Sequence, residues 1–172
     1  MRPCWVRLAA LLRLLAGQSS AFQLRTSSSI RNTDMEALQQ FIATPTNWPK
    51  IVASSHSVKP VTNPVDRPLN VGESVEEVFG LPPILPLSVV WECVRMDNGH
   101  LEFNSKEGVP GLANDCKMIF RFRETGQAVT VDLTMEFASR SPITPLGLPL
   151  LGLDNTLALN VLLPNAIRSK LQ

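Results

Sequence analysis

Between residues 73 and 137 lie five strand-like stretches, 73–79, 87–96, 100–105, 115–123 and 128–137; hydrophobic and polar positions alternate with a period of two in all but 87–96, which is rich in Val and holds a Trp. The alternation is the pattern of strands with one face buried and one solvated. Turn formers separate the last four: Asp97-Asn98-Gly99, a loop over 106–114 with Gly108, Pro110 and Gly111, and a tight turn over 124–127. The spacing predicts an antiparallel meander. Ahead of it the period changes. Residues 34–43 place Leu38, Phe41 and Ile42 on one side of a helix. Residues 44–55 read as a second short helix, with Thr44 or Thr46 as cap, Pro45 or Pro49 in the first turn, and Trp48, Ile51 and Val52 as its buried side. The segment 58–72 is a proline-rich loop.

The end of the chain is apolar in a different way. Residues 141–153 hold three prolines and two glycines among leucines, which reads as a broken segment or an apolar lid. Asp154 is placed to cap a helix over about 155–170, on which Leu157 and Val161, with Ala158, Leu162 and Ala166, form an apolar stripe. Pro164 is expected to kink that helix or end it early. The run 143–163 is long enough to suggest a membrane span, but Pro145, Pro149, Asp154, Asn155 and Asn160 argue against one.

Residues 1–21 carry Arg2 and Arg7, an apolar run interrupted by Arg13, and then the small residues Ser19, Ser20 and Ala21. That is a signal-peptide pattern. Residues 22–33 contain no acid, two arginines and four consecutive Ser/Thr residues, which is transit-peptide composition. With Ser20-Ala21-Phe22 at the junction, the two segments resemble the bipartite plastid presequence of algae with secondary red plastids. That resemblance implies a plastid (chloroplast) location; the alternatives are secretion or a mitochondrial presequence. The domain proper is then 34–172.

Charge sharpens the picture. The formal net charge is +1. Five of the 16 basic residues (Arg2, Arg7, Arg13, Arg25, Arg31) precede Asp34, the first acid, so the remaining eleven face all 15 acidic residues, a net −4. Such a domain is not drawn to nucleic acid or anionic lipid by its charge. His56 and His100 have no ligand-like spacing to cysteines or carboxylates, so neither a metal site nor a cofactor is expected. Three cysteines, one of them Cys4, are too few for a disulfide framework.

Two short helices, a curved antiparallel sheet and one C-terminal helix packed across it make an α+β order. It resembles the helix-grip fold of the START-like SRPBCC superfamily, which includes polyketide cyclase/dehydrase-like and coenzyme Q-binding-like proteins. The residues that carry the likeness are NWPKIVASSHSV (47–58), GESVEEVFG (72–80), SVVWECV (88–94) and LDNTLALNVLLPNAIR (153–168). The resemblance covers about 35–171 and implies a fold, with a cavity between sheet and helix, more than a chemistry. The usual first long strand is replaced or shortened at 34–43, and the final helix is short.

The alternation assigns the faces. Leu101, Phe103, Cys116, Met118, Phe120, Phe122, Leu133 and Met135 point inward, and Leu157 and Val161 face them from the helix. The strand 87–96 has two mixed faces. Trp91 and Cys93 are read as inward, with Arg95 at the rim, since the opposite choice would bury Glu92 as an unpaired candidate acid at a desolvation cost. The inner face of 100–105, 115–123 and 128–137 holds no Asp, Glu, His, Lys or Arg, so no general acid or base is visible there and no catalytic residue is assigned. The reading is binding or carriage of a hydrophobic small molecule with no covalent step. A lipid, quinone, isoprenoid or pigment intermediate is what the resemblance implies. Transient membrane contact through 141–153 fits that reading. The alternatives are a cyclase/dehydrase-type enzyme on a hydrophobic substrate, with Arg95 and Glu92 as rim groups, and a partner-binding module with a filled core.

Overall fold

The computed structural model describes residues 21–81 and 85–170. Seven antiparallel strands form one sheet in the order β1-β7-β6-β5-β4-β3-β2. They are β1 (Ala21–Arg31), β2 (Ser55–Pro60), β3 (Ser74–Leu81), β4 (Leu85–Asp97), β5 (His100–Ser105), β6 (Ala113–Thr125) and β7 (Ala128–Ser139). Strands β3 to β7 are the meander expected from the alternation. The two edge strands are additions to it.

Strand β1 occupies the segment expected to be transit-peptide-like. It pairs with β7 without a break, from Ala21 opposite Ala138 to Arg31 opposite Ala128. Gln23, Arg25, Ser27, Ser29 and Arg31 face solvent, while Phe22, Leu24, Thr26 and Ser28 are half-buried and Ile30 is buried. Ser27 donates to Asp132 at 2.6 Å, Gln23 donates to Glu136 at 2.7 Å, and the Phe22 and Phe137 rings lie 5.8 Å apart. The first strand expected to be replaced or shortened is thus present at 21–31, paired into the sheet ahead of residue 34. Serines and arginines on the water side of an edge strand have the same composition as an address; the period-two pattern behind them is what distinguishes the strand. The signal-peptide expectation for 1–21 falls, apart from Ala21, outside the described residues.

The chain crosses from one sheet edge to the other through helix α1 (Met35–Ala43), a 3-10 turn (Pro45–Asn47) and a single helical turn, α2 (Trp48–Ile51). Asp34 caps α1 by accepting from the Ala37 N–H at 2.7 Å. Asn47 and the Trp48 indole close its other end, donating to the carbonyls of Phe41 and Ile42. Gln39, buried on α1, donates to the Asp97 and His100 carbonyls and accepts from the Gly99 N–H, so α1 grips the β4–β5 turn. Gly99 has a φ of +79, and a Cβ there would sit 3.0 Å from the Phe122 carbonyl oxygen, so this turn requires glycine.

At the C-terminus the expected lid is helix. Helix α3 (Thr144–Leu157) runs into a π turn (Ala158–Leu162) and then α4 (Leu163–Lys170). Pro145 sits in the first turn of α3, where a missing N–H costs nothing. Asp154 does not cap a helix. It lies within α3, and its carboxylate accepts from the Ser54 N–H at 3.3 Å and the Ser54 hydroxyl at 2.5 Å. Pro164 neither ends the helix nor cuts it short: the wider π turn lies just before it, where an α-helix would need the absent N–H.

If β1 is an integral strand, Ile30→Ala should cost about 2–4 kcal/mol in urea unfolding, as burial of its side chain implies. The exposed Ser29→Ala should change little. Equal, negligible effects of both would show that 21–31 is not part of the folded unit.

Candidate functional site: the interior between sheet and helix

The inner face of the sheet supplies one continuous apolar wall. Trp91, Cys93, Leu101, Phe103, Cys116, Phe120, Phe122 and Leu133 are buried, and Met118 and Met135 are half-buried against them. Trp48 reaches in from α2 and meets Phe103 edge-to-face at 5.4 Å. The helix covers this wall with Asn155, Ala158, Leu159, Leu163 and Ile167.

Three expected positions differ. Leu157 and Val161 are on the outer face of the helix, 36% and 45% exposed. Extension of the helix back to Thr144 and the π turn at 158–162 set a different inward line from the one a uniform helix over 155–170 would have. Arg95 is not at a rim of the interior. A bulge at Val94 shifts the register between Cys93, opposite Phe103, and Arg95, opposite Glu102. The extra residue turns Arg95 to the outer face, where it pairs with the exposed Asp97. Trp91 does face inward, and Glu92 is exposed, so Glu92 is not a buried acid.

The acid of this interior is Glu77, and the sequence reading passed over it. Among the described residues it is the one buried carboxyl group. Strand β3 alternates, but neither Ser74, Glu76, Val78 nor Val75, Glu77, Phe79 is a wholly apolar set, so its inward face could not be chosen from β3 alone. The usable signal was pairing: Val75 stands opposite Trp91, and Glu77 follows Val75 on the same face. The Trp91 indole donates to Glu77 at 2.9 Å. Ser55 lies alongside with a buried hydroxyl that lacks a partner of good geometry. Burial pushes the Glu77 carboxyl up from its ordinary value; Ser55 and the indole oppose that shift, and the charge of Asp154 adds to it. A neutral carboxylic acid is a hydrogen-bond donor as well as an acceptor.

A second polar group faces the wall. Asn155 is buried, and its amide donates to the Met135 sulfur at 3.1 Å, a weak acceptor. The two buried thiols are inert by comparison. Burial pushes Cys93 and Cys116 each up to about 11, and β5 lies between their strands.

Two surface clefts lie outside this interior: one between the β1–α1 connection and the β6–β7 turn, the other beside Ala21–Gln23, Asp115 and Glu136–Ala138.

No family model and no curated protein matches the sequence. Solved structures do match. A protein of Thermus thermophilus superposes with a TM-score of 0.71 at 14% identity, covering 88% of this chain and 100% of that one. The aromatase/cyclase ZhuI from Streptomyces sp. R1128 gives 0.70 at 11% identity, over 87% and 95%. Norcoclaurine synthase from Thalictrum flavum, solved with dopamine and hydroxybenzaldehyde, gives 0.57 at 11% identity, over 86% and 89%. The chain has the helix-grip fold. At these identities the likeness is one of fold, and the helix-grip architecture places the apolar wall, Glu77 and Asn155 in the space between its sheet and its C-terminal helix.

The Glu77 assignment gives a pH dependence with a definite sign. A carboxyl whose pKa is raised on folding binds its proton more tightly in the folded state, so stability is fullest below the unfolded value and declines as pH rises through the folded one. Glu77→Gln removes that loss. The variant should therefore gain stability relative to the parent as pH is raised from the acid range to neutrality in denaturant titrations. A difference that does not change with pH, or one that changes the other way, would show that folding does not raise the Glu77 carboxyl.

Proposed function

We propose that the protein binds a hydrophobic small molecule in the interior between sheet and C-terminal helix, as a carrier and without a covalent step. The carrying observation is the inner wall: ten apolar or thiol side chains from β4 to β7, two of them adaptable methionines, met by a few buried polar groups, of which Glu77 and Asn155 are the polar handles this reading uses. The fold supports the reading, since norcoclaurine synthase shares it and was solved with small aromatic molecules. The ligand classes in view are lipid, quinone, isoprenoid and pigment intermediates. A ligand oxygen offers Asn155 a stronger acceptor than the Met135 sulfur and offers Glu77 a partner beyond the Trp91 indole. Met118 and Met135, half-buried against the wall, are the side chains placed to repack around a ligand. Plastid location belongs to the same proposal and rests on the Ser20-Ala21-Phe22 junction; it is compatible with an intact β1 only if the chain is cut at that junction and 22–33 is then kept, which leaves all of β1 but its first residue.

One observation favours a second reading. Glu77, buried and pushed toward its neutral form, is the kind of acid a cyclase/dehydrase-type enzyme would use to protonate a carbonyl oxygen of a hydrophobic substrate. Arg95 and Glu92, being on the outer face or exposed, take no part in it.

Native mass spectrometry of the protein before and after exposure to a plastid lipid and pigment extract separates the readings. The carrier reading expects a discrete added mass, lost in Met135→Trp if that variant keeps its melting temperature. Turnover of an extract component, abolished by Glu77→Gln, would favour the enzyme. No adduct and no turnover from folded protein would contradict both and leave an interaction module with a filled core.

A further inference from the structure

The outer face of the C-terminal helix carries a row of large apolar side chains in water. Leu146, Leu150, Leu153, Leu157 and Val161 are 77%, 70%, 66%, 36% and 45% exposed. Steps of four, three, four and four residues keep them on one side of the helix. The line from Leu146 to Val161 is about 22 Å long at 1.5 Å per residue. Ile143, also exposed, extends it at the N-terminal end. Scattered exposed leucines need no explanation, but a contiguous row is the mark of an interaction surface.

Charge identifies the partner. From residue 141 to residue 167 Asp154 is the only charged side chain, and it is engaged with Ser54. Exposed arginines, Arg140 and Arg168, stand at the two ends. A seam for a second helix carries charged flanking positions that set register and orientation. Here the neighbours of the row are Gly147, Pro149, Gly152, Thr156 and Asn160. A neutral apolar row with a cation at each end matches a membrane surface, with leucines among the acyl chains and the arginines reaching headgroup level. Thr144–Ser169 is long and apolar enough to cross a membrane by length and composition. Its other face is buried through Asn155, Leu159 and Leu163, so the helix cannot pass through a membrane while it covers the sheet.

We propose that this face docks onto the surface of a lipid bilayer, with the helix parallel to the membrane plane. The attraction is apolar. From Ala21 onward 15 acidic residues stand against thirteen basic ones, so the domain as a whole is not drawn to anionic lipid. The inference goes beyond the ligand reading and stands without it, because ligand-free protein can be tested against plain vesicles.

The test is flotation of the full chain with phosphatidylcholine vesicles at low and high salt. The protein should float with the vesicles at both. Leu150→Asp/Leu153→Asp alters only exposed positions, so its melting temperature should be unchanged while vesicle binding falls about tenfold or more. If the double variant folds poorly, Leu146→Ser serves in its place with a smaller loss. Failure of the parent to float would overturn the proposal, as would equal flotation of parent and variant, which would place the contact elsewhere in the chain. A parent that is dimeric and becomes monomeric in the variant, with no vesicle binding, would assign the row to a second copy and overturn it likewise.

Discussion

The inner face of the sheet must be kept from water, and the C-terminal helix does this for much of it. Leu101, Phe103, Cys93 and Val131 are fully buried in that interior, and Leu163 meets them from the helix side. The helix is itself apolar nearly all round, so covering the sheet with one face leaves the other in solvent. Its polar attachments include Asp154, which holds Ser54 just before β2, Asn155, which reaches the Met135 sulfur on β7, and Thr144, whose hydroxyl donates to the Leu112 carbonyl. A cover held mainly by apolar contact can slide or lift without stranding many hydrogen bonds. That is the mechanical condition for the interior to admit a ligand.

Within this interior the polar groups are informative because they are rare. Glu77 is too buried to be comfortable as an anion, and the Trp91 indole is the donor that reaches it with good geometry. Such a group costs stability at neutral pH, and packing alone does not call for it. Asn155 donates to a thioether, a weak acceptor. Both face the space between the sheet and the C-terminal helix, and under the proposed ligand reading the wall would select for apolar shape and these two groups for an oxygen.

Much of this architecture was legible in the sequence. The alternation over 100–105, 115–123 and 128–137 determined which side chains point inward, because one face of each is apolar and the other is not. The bulge at Val94 was not legible: it inserts one residue without a glycine or proline to mark it, and it carried Arg95 to the wrong side. Strand β1 was hidden by composition, since its solvent face of Gln23, Arg25, Ser27, Ser29 and Arg31 reads as an acid-free presequence. Helix α3 was hidden by Pro145 and Pro149, one in a first turn and one inside the helix, and the loss of 144–154 from the helix misplaced Leu157 and Val161. Glu77 was missed because β3 has no clean apolar face. Only its pairing with β4 reveals which side is buried.

The central claim is that a ligand enters the space between sheet and helix and not the outer helix face. The most direct measurement is NMR of protein carrying 13C-labelled methionine methyls, titrated with the fraction of a lipid and pigment extract that binds. Met118 and Met135 line the inner wall, while Met35 lies on α1 against Gly99. The account expects the Met118 and Met135 resonances to shift on binding and that of Met35 to stay in place. Binding that leaves Met118 and Met135 unmoved would contradict it.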